Sequence, residues 1–383
     1  MGGTFPFFPI EYQKEFAKHC FDALNNSISN SLEEAMELNE NTGTRCVGFT
    51  VETKPDYCKS QHVDIMLQLG ITRIEIGIQS LRDDTYKTVN RGHTLLDVKD
   101  SFQIARDAGY KIVAHMMPGL PHANPEQDIK DFHTLFNDPC FKPDMLKIYP
   151  TLVLKNTGLY NLYKNGRYIP YSRADYIRIL VEVKKKIPPW VRIMRVQREI
   201  EDKDIVAGPK EGNLRQLALL ELKEQGHRCC CIRCREAGLQ NRIPLQADNI
   251  QMSRVDYNAS GGKEVFLSLE SRDNLSIFGF LRLRQPALPH RPEIKGQTCN
   301  ESEGSAIIRE LHVYGVSVNL GRAPGADSCQ HRGYGMRLMR EAEQIVKDEF
   351  GLRRLSVISA VGTREYYKRL GYSRNGPYMT KAL

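Results

Sequence analysis

Four cysteines crowd into one short stretch of the chain, Cys229-Cys230-Cys231-Ile232-Arg233-Cys234. As a C-x-C-x2-C pattern, Cys229, Cys231 and Cys234 place three thiolates on one tight loop, which suits tetrahedral zinc. Cys230, His227 or a more distant residue could supply the fourth ligand. Unliganded thiols and an iron–sulfur cluster are the alternatives, and the cluster is less favoured because the stretch lies between predicted domains rather than at a barrel mouth.

A second chemical group is the turn Gln330-His331-Arg332-Gly333-Tyr334-Gly335, which lies between a predicted strand and a long amphipathic helix. A helix N-terminus offers unpaired N–H groups and a positive dipole end, and glycine lets the backbone approach a pyrophosphate closely. The pattern resembles the acetyl-CoA pyrophosphate loop of GCN5-related N-acetyltransferases, and the earlier HVYG and later YYKRLGY strings agree with it. The resemblance implies cofactor contacts at Gln330, His331, Gly333, Tyr334, Gly335 and Met336.

Polar and special residues recur where apolar runs end in the N-terminal half of the chain. In β/α barrels the loops after the strands build the active site, so this recurrence predicts catalysis, although such residues can also merely cap strands. The residues are Glu52, Lys54, Gln79, Ser80, His115, Pro118, Gly119, Lys147 and Tyr149.

These positions need a scaffold, and the alternation of patterns predicts one. Apolar, β-branched runs alternate with segments of helical periodicity, which is typical of successive βα units with a parallel sheet. The predicted strands are 46–53, 71–80, 111–120, 145–154 and 191–198. The predicted helices are 56–69, 95–108, 124–137 and 172–186.

The rest of the chain follows another pattern. Residues 199–245 break the alternation and contain a helical stretch at 213–226 together with the cysteines. From 246 onward, alternating antiparallel strands precede a long helix, a buried strand, a short helix and a terminal strand. The fold class is therefore α/β: a partial (β/α) barrel over 1–198, a basic zinc-binding linker over 199–245 and an α+β domain over 246–383.

Composition limits the classes of protein. A chain of 383 residues with 41% hydrophobic and 26% charged residues predicts a soluble protein of two or three domains. No apolar run is long enough to span a membrane and no signal peptide is visible, so we expect a cytoplasmic protein with reduced thiols. Residues 182–244 hold 14 Lys and Arg against 9 Asp and Glu, which favours a polyanion partner such as RNA or DNA.

Strings along the whole chain are similar to the Elongator protein three family in its archaeal form. They include GGTF, VET-x-PD, EIG-x-QS, NRGH, HMMPGLP, LKIYPTLV, RELHVYG, QH-x-G-x-G and VGTREYYKRLGY, in this order. The resemblance implies a radical S-adenosylmethionine (SAM) barrel followed by a GCN5-related N-acetyltransferase domain. It also implies tRNA as the substrate, with acetyl-CoA supplying an acetyl group to the wobble uridine in the anticodon stem-loop. A SAM-derived radical would abstract hydrogen from the acetyl methyl group, and addition to uracil would give 5-carboxymethyluridine.

The resemblance also implies roles for individual residues. The SAM amino acid moiety would be held by Gly2, Gly3 and Thr4, and the SAM pocket lined by Glu52, Lys54 and Gln79. Lys147 and Tyr149 would lie where acetyl-CoA and uridine meet. The acetyl-CoA side would use Glu310, Leu311, His312 and Val313 on one strand, the glycine turn, and Tyr366 and Tyr367 beside the thioester. Glu310 and His312 would orient the acetyl group or a hydrolytic water.

One departure concerns the 4Fe-4S cluster. In the family its three cysteine ligands precede the GGTF turn, at which this chain starts, and Cys20, Cys46 and Cys58 lack the close spacing required. We therefore expect an N-terminally truncated chain that does not assemble the cluster. Two other functions stay open: a lysine acetyltransferase, since the acetyltransferase fold alone does not decide the acceptor, and a non-catalytic tRNA-binding scaffold. Self-association and Elongator-type partner subunits are further expectations.

Overall fold

A computed structural model describes residues 3–210, 212–239, 250–296, 304–314 and 333–383. Its helices are α1 (Ile10–Asn25), α2 (Leu32–Asn41), α3 (Ser60–Gln68), α4 (Asp83–Thr88), α5 (Leu95–Asp107), α6 (Pro125–Asn137), α7 (Gly158–Lys164), α8 (Arg173–Lys186), α9 (Leu214–Glu224), α10 (Ile232–Arg235), α11 (Pro292–Lys295), α12 (Tyr334–Asp348) and α13 (Arg364–Lys368). Its strands are β1 (Thr50–Thr53), β2 (Arg73–Gln79), β3 (Lys111–Met116), β4 (Met145–Ile148), β5 (Val153–Leu154), β6 (Arg192–Val196), β7 (Ile205–Ala207), β8 (Ile250–Ala259), β9 (Gly262–Ser271), β10 (Ile277–Gln285), β11 (Ser305–Val313), β12 (Arg354–Val357), β13 (Ser373–Asn375) and β14 (Tyr378–Ala382).

The predicted alternation of strands and helices over 46–198 is confirmed, since each predicted strand and helix has a counterpart within a few positions. No element was predicted over 10–41, which forms α1 and α2. These two helices pack through Phe21, Ala35 and Met36. Apolar residues recur at helical spacing in both, as Ala17, Phe21 and Leu24 do in α1, so periodicity could have predicted these helices.

The chain divides into two compact units. The first comprises Met1–Glu75, Asp100–Ile112 and Glu236–Leu383, and the second comprises Ile76–Lys99 and Val113–Arg235. The predicted boundaries at 198 and 245 divide the chain differently. The second unit continues to Arg235, and the segment Met1–Glu75 belongs to the same unit as the C-terminal sheet.

Strands β2 and β3 each begin in the first unit and end in the second. The sheet to which they belong has the order β1-β2-β3-β4-β6. The β3–β4 and β4–β6 pairs are parallel, as the βα pattern predicts. Because parallel strands end at the same edge of a sheet, the loops after β3 and β4 lie together at one edge.

The C-terminal part of the first unit is a seven-stranded sheet with the order β13-β14-β12-β11-β10-β9-β8. Helix α12 packs on it because apolar residues recur on one face, among them Leu338, Ala342 and Ile345, which are buried. They contact a core that includes Leu281 and Ile308 of the sheet.

A network of buried charges joins the end of α5 to this sheet within the first unit. Arg284 contacts Asp107 and Glu264, and Arg309 donates to the other oxygen of Glu264 at 2.8 Å. These four side chains and Arg106 are almost completely buried. Removing one partner would leave an uncompensated buried charge, so the network fixes how α5 meets the sheet.

No helix among the described residues is both long and apolar enough to cross a membrane.

Candidate functional site

The turn at Gly3 lies against β1. Gly3 has a φ of +83°, which favours glycine, and its N–H donates to Glu52 Oε2 at 3.0 Å. Lys54, just beyond β1, pairs with Asp56 at 3.1 Å. A cavity of about 400 Å³ is lined by Gly3, Thr4, Phe7, Phe8, Lys54 and Tyr57. The structure thus brings Gly3, Thr4, Glu52 and Lys54 together, whereas Gly2 lies outside the described residues.

The second candidate region is a cleft where β11 and β12 part. The two strands pair in parallel from Ser305 with Arg354 to Ile308 with Val357. From Glu310 to Val313, β11 pairs only with β10, after a register shift at Arg309. A cavity of about 250 Å³ fills the gap, and its wall includes Glu310, Leu311, His312 and Tyr367. This cleft therefore unites four of the predicted acetyl-CoA residues.

The side chains of this cleft are held by charge and by aromatic contact. Glu310 accepts from Arg282 Nε at 2.8 Å, and Arg282 is fully buried. The ring of His312 lies 4.4 Å from that of Tyr314 and is stacked on Phe280. Lys111 donates to the carbonyl of Arg309, which is the first β11 residue beyond the β12 pairing.

Of the predicted pyrophosphate-binding turn, the structure describes Gly333, Tyr334 and Gly335, at the start of α12. Gly333 precedes the helix with a φ of +78°. A Cβ on Gly335 would lie 2.8 Å from the Tyr366 hydroxyl, so the helix start and that tyrosine are in close contact. Tyr334 is buried and Met336 is 40% exposed. Gln330 and His331 lie outside the described residues.

The tyrosine pair Tyr366 and Tyr367 sits on the short helix α13, and Glu40 of α2 anchors that helix. Arg364 Nη1 and Lys368 Nζ each lie 2.9 Å from one oxygen of the Glu40 carboxylate. Burial alone would raise the pKa of Glu40, but these hydrogen bonds outweigh it and lower the pKa. The sequence analysis missed Glu40, and no local motif could have revealed it, because its two partners lie 324 and 328 positions along the chain.

The second unit holds a larger cavity of about 640 Å³, here called the Gln79 cavity. Gln79, at the end of β2 with a φ of +65°, lines it together with residues of the loops after β3 and β4. Lys147 lies in β4 opposite His115 of β3, and the Tyr149 ring meets the His115 ring edge-on at 5.4 Å. Of the predicted SAM-pocket residues, Gln79 therefore lines a different cavity from Lys54.

The loop after β3, which forms part of this cavity's wall, is held by hydrogen bonds from side chains that the motifs did not identify. Asp128 Oδ2 accepts from the N–H of Gly119 at 2.8 Å and from the Tyr171 hydroxyl at 2.9 Å. The Tyr168 hydroxyl donates to the Gly119 carbonyl at 2.6 Å. Burial raises the pKa of Asp128 to about 6, although both hydrogen bonds and the nearby Arg82 act in the opposite direction.

The cysteine loop forms a compact group. The Sγ atoms of Cys229, Cys231 and Cys234 all lie within 4.8 Å of one another. Cys229 and Cys231 are buried. Hydrogen bonds from Cys229 and Cys234 lower the pKa of Cys231. Cys230 and His227, the candidate fourth ligands, are both exposed and lie outside this group.

Comparison with known families and proteins gives a consistent result. The chain matches the Radical SAM superfamily over residues 3–135 and the Radical_SAM C-terminal domain over residues 143–224. It is 46% identical to "Elongator complex protein 3" of Danio rerio, covering 100% of this chain and 69% of that protein. It is 45% identical to "tRNA uridine(34) acetyltransferase" of Methanocaldococcus infernus, covering 100% and 71%. A solved structure of the archaeal Methanocaldococcus infernus Elp3 with an N-terminal deletion matches with a TM-score of 0.94 at 44% identity, covering 100% of this chain and 89% of that one.

Proposed function

Since the chain belongs to the Elongator complex protein 3 family, within the radical SAM superfamily, we propose that it is a transferase that modifies the uridine at position 34 of tRNA. The acetyl group comes from acetyl-CoA, the product is 5-carboxymethyluridine, and tRNA stimulates acetyl-CoA hydrolysis. The identity over the full chain supports the tRNA substrate, and two separate cavities of the first unit support the two cofactors.

The main support for the acetyl-CoA assignment is the point at which β11 and β12 separate, beyond Ile308 and Val357. An exposed strand edge can hydrogen-bond an extended ligand with amide groups, as pantetheine is, in the manner of an added strand. The cleft offers such an edge from Glu310 to Val313, and Tyr367 lies in its wall. Glu310, held by Arg282, orients the acetyl group or a hydrolytic water there.

The start of α12 supports pyrophosphate binding at the other end of acetyl-CoA. The N–H groups of the first turn and the positive end of the helix dipole favour anions, and Gly333 and Gly335 permit close backbone approach. Gln330 and His331 complete this loop in the proposal.

The superfamily implies SAM and a 4Fe-4S cluster. When bound, these supply radical chemistry able to functionalise a uracil carbon that resists ordinary nucleophilic reactions. The described residues fit SAM at the 400 Å³ cavity, where Gly3 and Thr4 would hold the amino acid moiety; Lys54 lines the wall. For the cluster, the described residues contain no triad of adjacent cysteines other than Cys229, Cys231 and Cys234.

We assign that triad to zinc, because three close sulfur atoms on one loop provide the preferred soft ligands. The buried Lys184 ammonium lies 3.9 Å from Cys229 Sγ, which offsets thiolate charge. Elemental analysis of the purified chain should give one zinc per chain, and Cys231→Ser should lower that ratio; a zinc-free wild type would contradict the assignment.

The basic excess in residues 182–244 supports an RNA-binding surface, and the family name supports partner subunits. We expect binding to the anticodon stem-loop to weaken steeply as salt rises, since neutralised phosphates release counterions.

The decisive experiment measures CoA release from acetyl-CoA by the purified chain at low salt, with and without tRNA. A tRNA carrying uridine at position 34 should stimulate release, and a matched tRNA with another base there should stimulate it less. Glu310→Gln should reduce the stimulated rate.

Two outcomes would overturn the proposal. Acetylation of a lysine peptide without RNA, together with CoA release that ignores tRNA, would indicate a lysine acetyltransferase. Strong tRNA binding that is insensitive to acetyl-CoA, without turnover, would indicate a scaffold.

A further inference from the structure

The wall of the cleft where β11 and β12 part contains a cation that the proposed function does not use. Arg73, at the start of β2, lines this cleft and is half-buried. Its Nε donates to the Thr50 hydroxyl at 2.9 Å, and no carboxylate among the described residues forms an ion pair with it. The other N–H donors of the guanidinium can therefore contact a ligand, and their planar fork matches a carboxylate or a phosphate.

A buried hydroxyl in the same wall also lacks a partner. Ser359 follows β12 and is 5% exposed, yet its Oγ makes no hydrogen bond within the part of the chain that the structure describes. The backbone on either side of it is held. The Ile358 N–H donates to the Ile308 carbonyl at 3.2 Å, and the Ala360 carbonyl accepts from the Thr363 hydroxyl. Buried polar side chains are generally hydrogen-bonded, so this hydroxyl on a fixed backbone indicates a polar ligand.

The charges around these two side chains favour an anion. Lys111 is a second cation in the wall. Glu310 is the one carboxylate among the described residues that line the cleft, and the fully buried Arg282, at 2.8 Å, offsets its charge. The described wall therefore carries an excess of positive charge, and a neutral acetyl thioester does not account for it.

A small carboxylate fits both features. A guanidinium binds a carboxylate through two parallel hydrogen bonds, and a serine hydroxyl can donate to one of the same oxygens. The proposed function itself produces such a group. In acetyl-CoA hydrolysis, water adds to the thioester carbonyl carbon, the C–S bond breaks and CoA leaves as the thiol, so that acetate and one proton are released.

We propose that Arg73 and Ser359 form a carboxylate-binding subsite in this cleft. The carboxylate is either the acetate that hydrolysis releases or the terminal carboxylate of a dicarboxylic acyl group on CoA, such as malonyl. This inference deepens the proposed function and rests on it for the place of the acyl group.

The first measurement is acetate binding to the full chain by saturation-transfer NMR, with acetamide as a neutral ligand of similar shape. We expect the wild type to bind acetate in preference to acetamide. Arg73→Gln should weaken acetate binding at least about ten-fold, because charge-assisted hydrogen bonds are lost. Arg73→Lys keeps the charge without the fork and should fall between the two, and Ser359→Ala should weaken binding less than Arg73→Gln.

The second measurement compares the affinities of malonyl-CoA and acetyl-CoA, which differ by one carboxylate, in calorimetry. If the subsite takes a dicarboxylic acyl group, Arg73→Gln should weaken malonyl-CoA binding about ten-fold more than acetyl-CoA binding. Arg178→Gln on α8 and Ser373→Ala on β13 are the matched controls, because both side chains are exposed and lie outside this cleft. Thermal unfolding of each variant separates a lost contact from a lost fold.

The outcomes distinguish the two sources of the carboxylate and the two levels of the argument. Loss of acetate binding in Arg73→Gln, with equal effects on both CoA thioesters, identifies the hydrolysis product; a selective loss of malonyl-CoA affinity identifies a dicarboxylic acyl group. Either result supports the inference. If Arg73→Gln and Ser359→Ala bind acetate and malonyl-CoA as the wild type does, or if the wild type binds neither, the inference is overturned, while acetyl-CoA binding by the wild type leaves the proposed function standing. If the wild type shows Arg73-dependent acetate binding but neither binds nor hydrolyses acetyl-CoA, the subsite stands and the proposed function fails.

Discussion

The cleft of the first unit and the Gln79 cavity of the second hold their functional side chains by different forces. Around the β11–β12 cleft the supports are ion pairs: Glu310 with Arg282, and Glu40 with Arg364 and Lys368. Behind the Gln79 cavity the supports are tyrosine hydroxyls that donate to backbone carbonyls, from Tyr168 and Tyr176, and one buried carboxylate, Asp128, whose nearest cation, Arg82, is 3.7 Å away.

This difference matches the ligands that the two regions suit. A long, charged cofactor such as acetyl-CoA suits a strand edge and a helix start rich in charge and N–H groups. The Gln79 cavity has a mostly apolar wall that includes Arg91, so it suits a compact ligand with apolar faces. It follows that the two regions should respond differently to mutation and to pH.

The largest expected effect is a loss of ligand binding in the first region alone. In Gly335→Ala the new Cβ would press on the Tyr366 hydroxyl and obstruct backbone approach at the start of α12. We expect at least about ten-fold weaker acetyl-CoA binding by calorimetry and unchanged S-adenosylhomocysteine binding. Thermal unfolding of the variant, measured alongside, separates this loss from destabilisation by the contact with Tyr366.

Gly43→Ala is the matched control, since a Cβ there meets nothing within 4 Å and Gly43 lies outside the candidate sites. Unchanged acetyl-CoA affinity in Gly335→Ala would remove the helix start from the binding site.

The second prediction concerns the anchoring of α13. In Glu40→Gln the buried Arg364 guanidinium loses its charged partner, so we expect the free energy of unfolding to fall by about 2–4 kcal/mol in urea titrations. Because folding lowers the pKa of Glu40, its contribution is present above the unfolded pKa and is lost as pH falls through the folded value.

Glu365→Gln is the control, because its pair with Lys368 is at the surface and is worth at most about 1 kcal/mol. The anchoring role also requires Glu40→Gln to slow CoA release at temperatures where the variant is fully folded. Equal stability of the two variants would show that Glu40 does not anchor the tyrosine helix.

These contacts mark the limit of what the sequence predicts. The strands, the longer helices from α3 onward, the glycine turn and the cysteine group follow from periodicity and spacing, because each depends on neighbours in the chain. Glu40, Asp107 and Glu264 act on partners that are distant in the chain, and nothing in their local sequence distinguishes them from surface acids. Ser359 is similar: its interest lies in being buried without a partner among the described residues, which is a property of the folded cleft.

The smallest expected effect concerns the second region and is a pH dependence of the free energy of unfolding. Folding raises the pKa of Asp128 from 3.8 to about 6, so between these values the folded chain binds more protons than the unfolded chain. The free energy of unfolding must therefore contain a term that decreases as pH rises through this window. Asp131, Arg82 and Tyr171 act on the same carboxyl, but they are present in both proteins when wild type and Asp128→Asn are compared.

We expect the wild type to lose about 2 kcal/mol relative to Asp128→Asn between pH 4.5 and pH 7.5, measured by urea unfolding at several pH values. The asparagine does not titrate and its side-chain oxygen can still accept from the Gly119 N–H, so the cavity should persist in the variant. A stability difference that stays constant across this pH range would show that the Asp128 carboxyl titrates normally. In that case burial would impose no desolvation cost on the Asp128 carboxyl, and the contrast between the two regions would lose its basis.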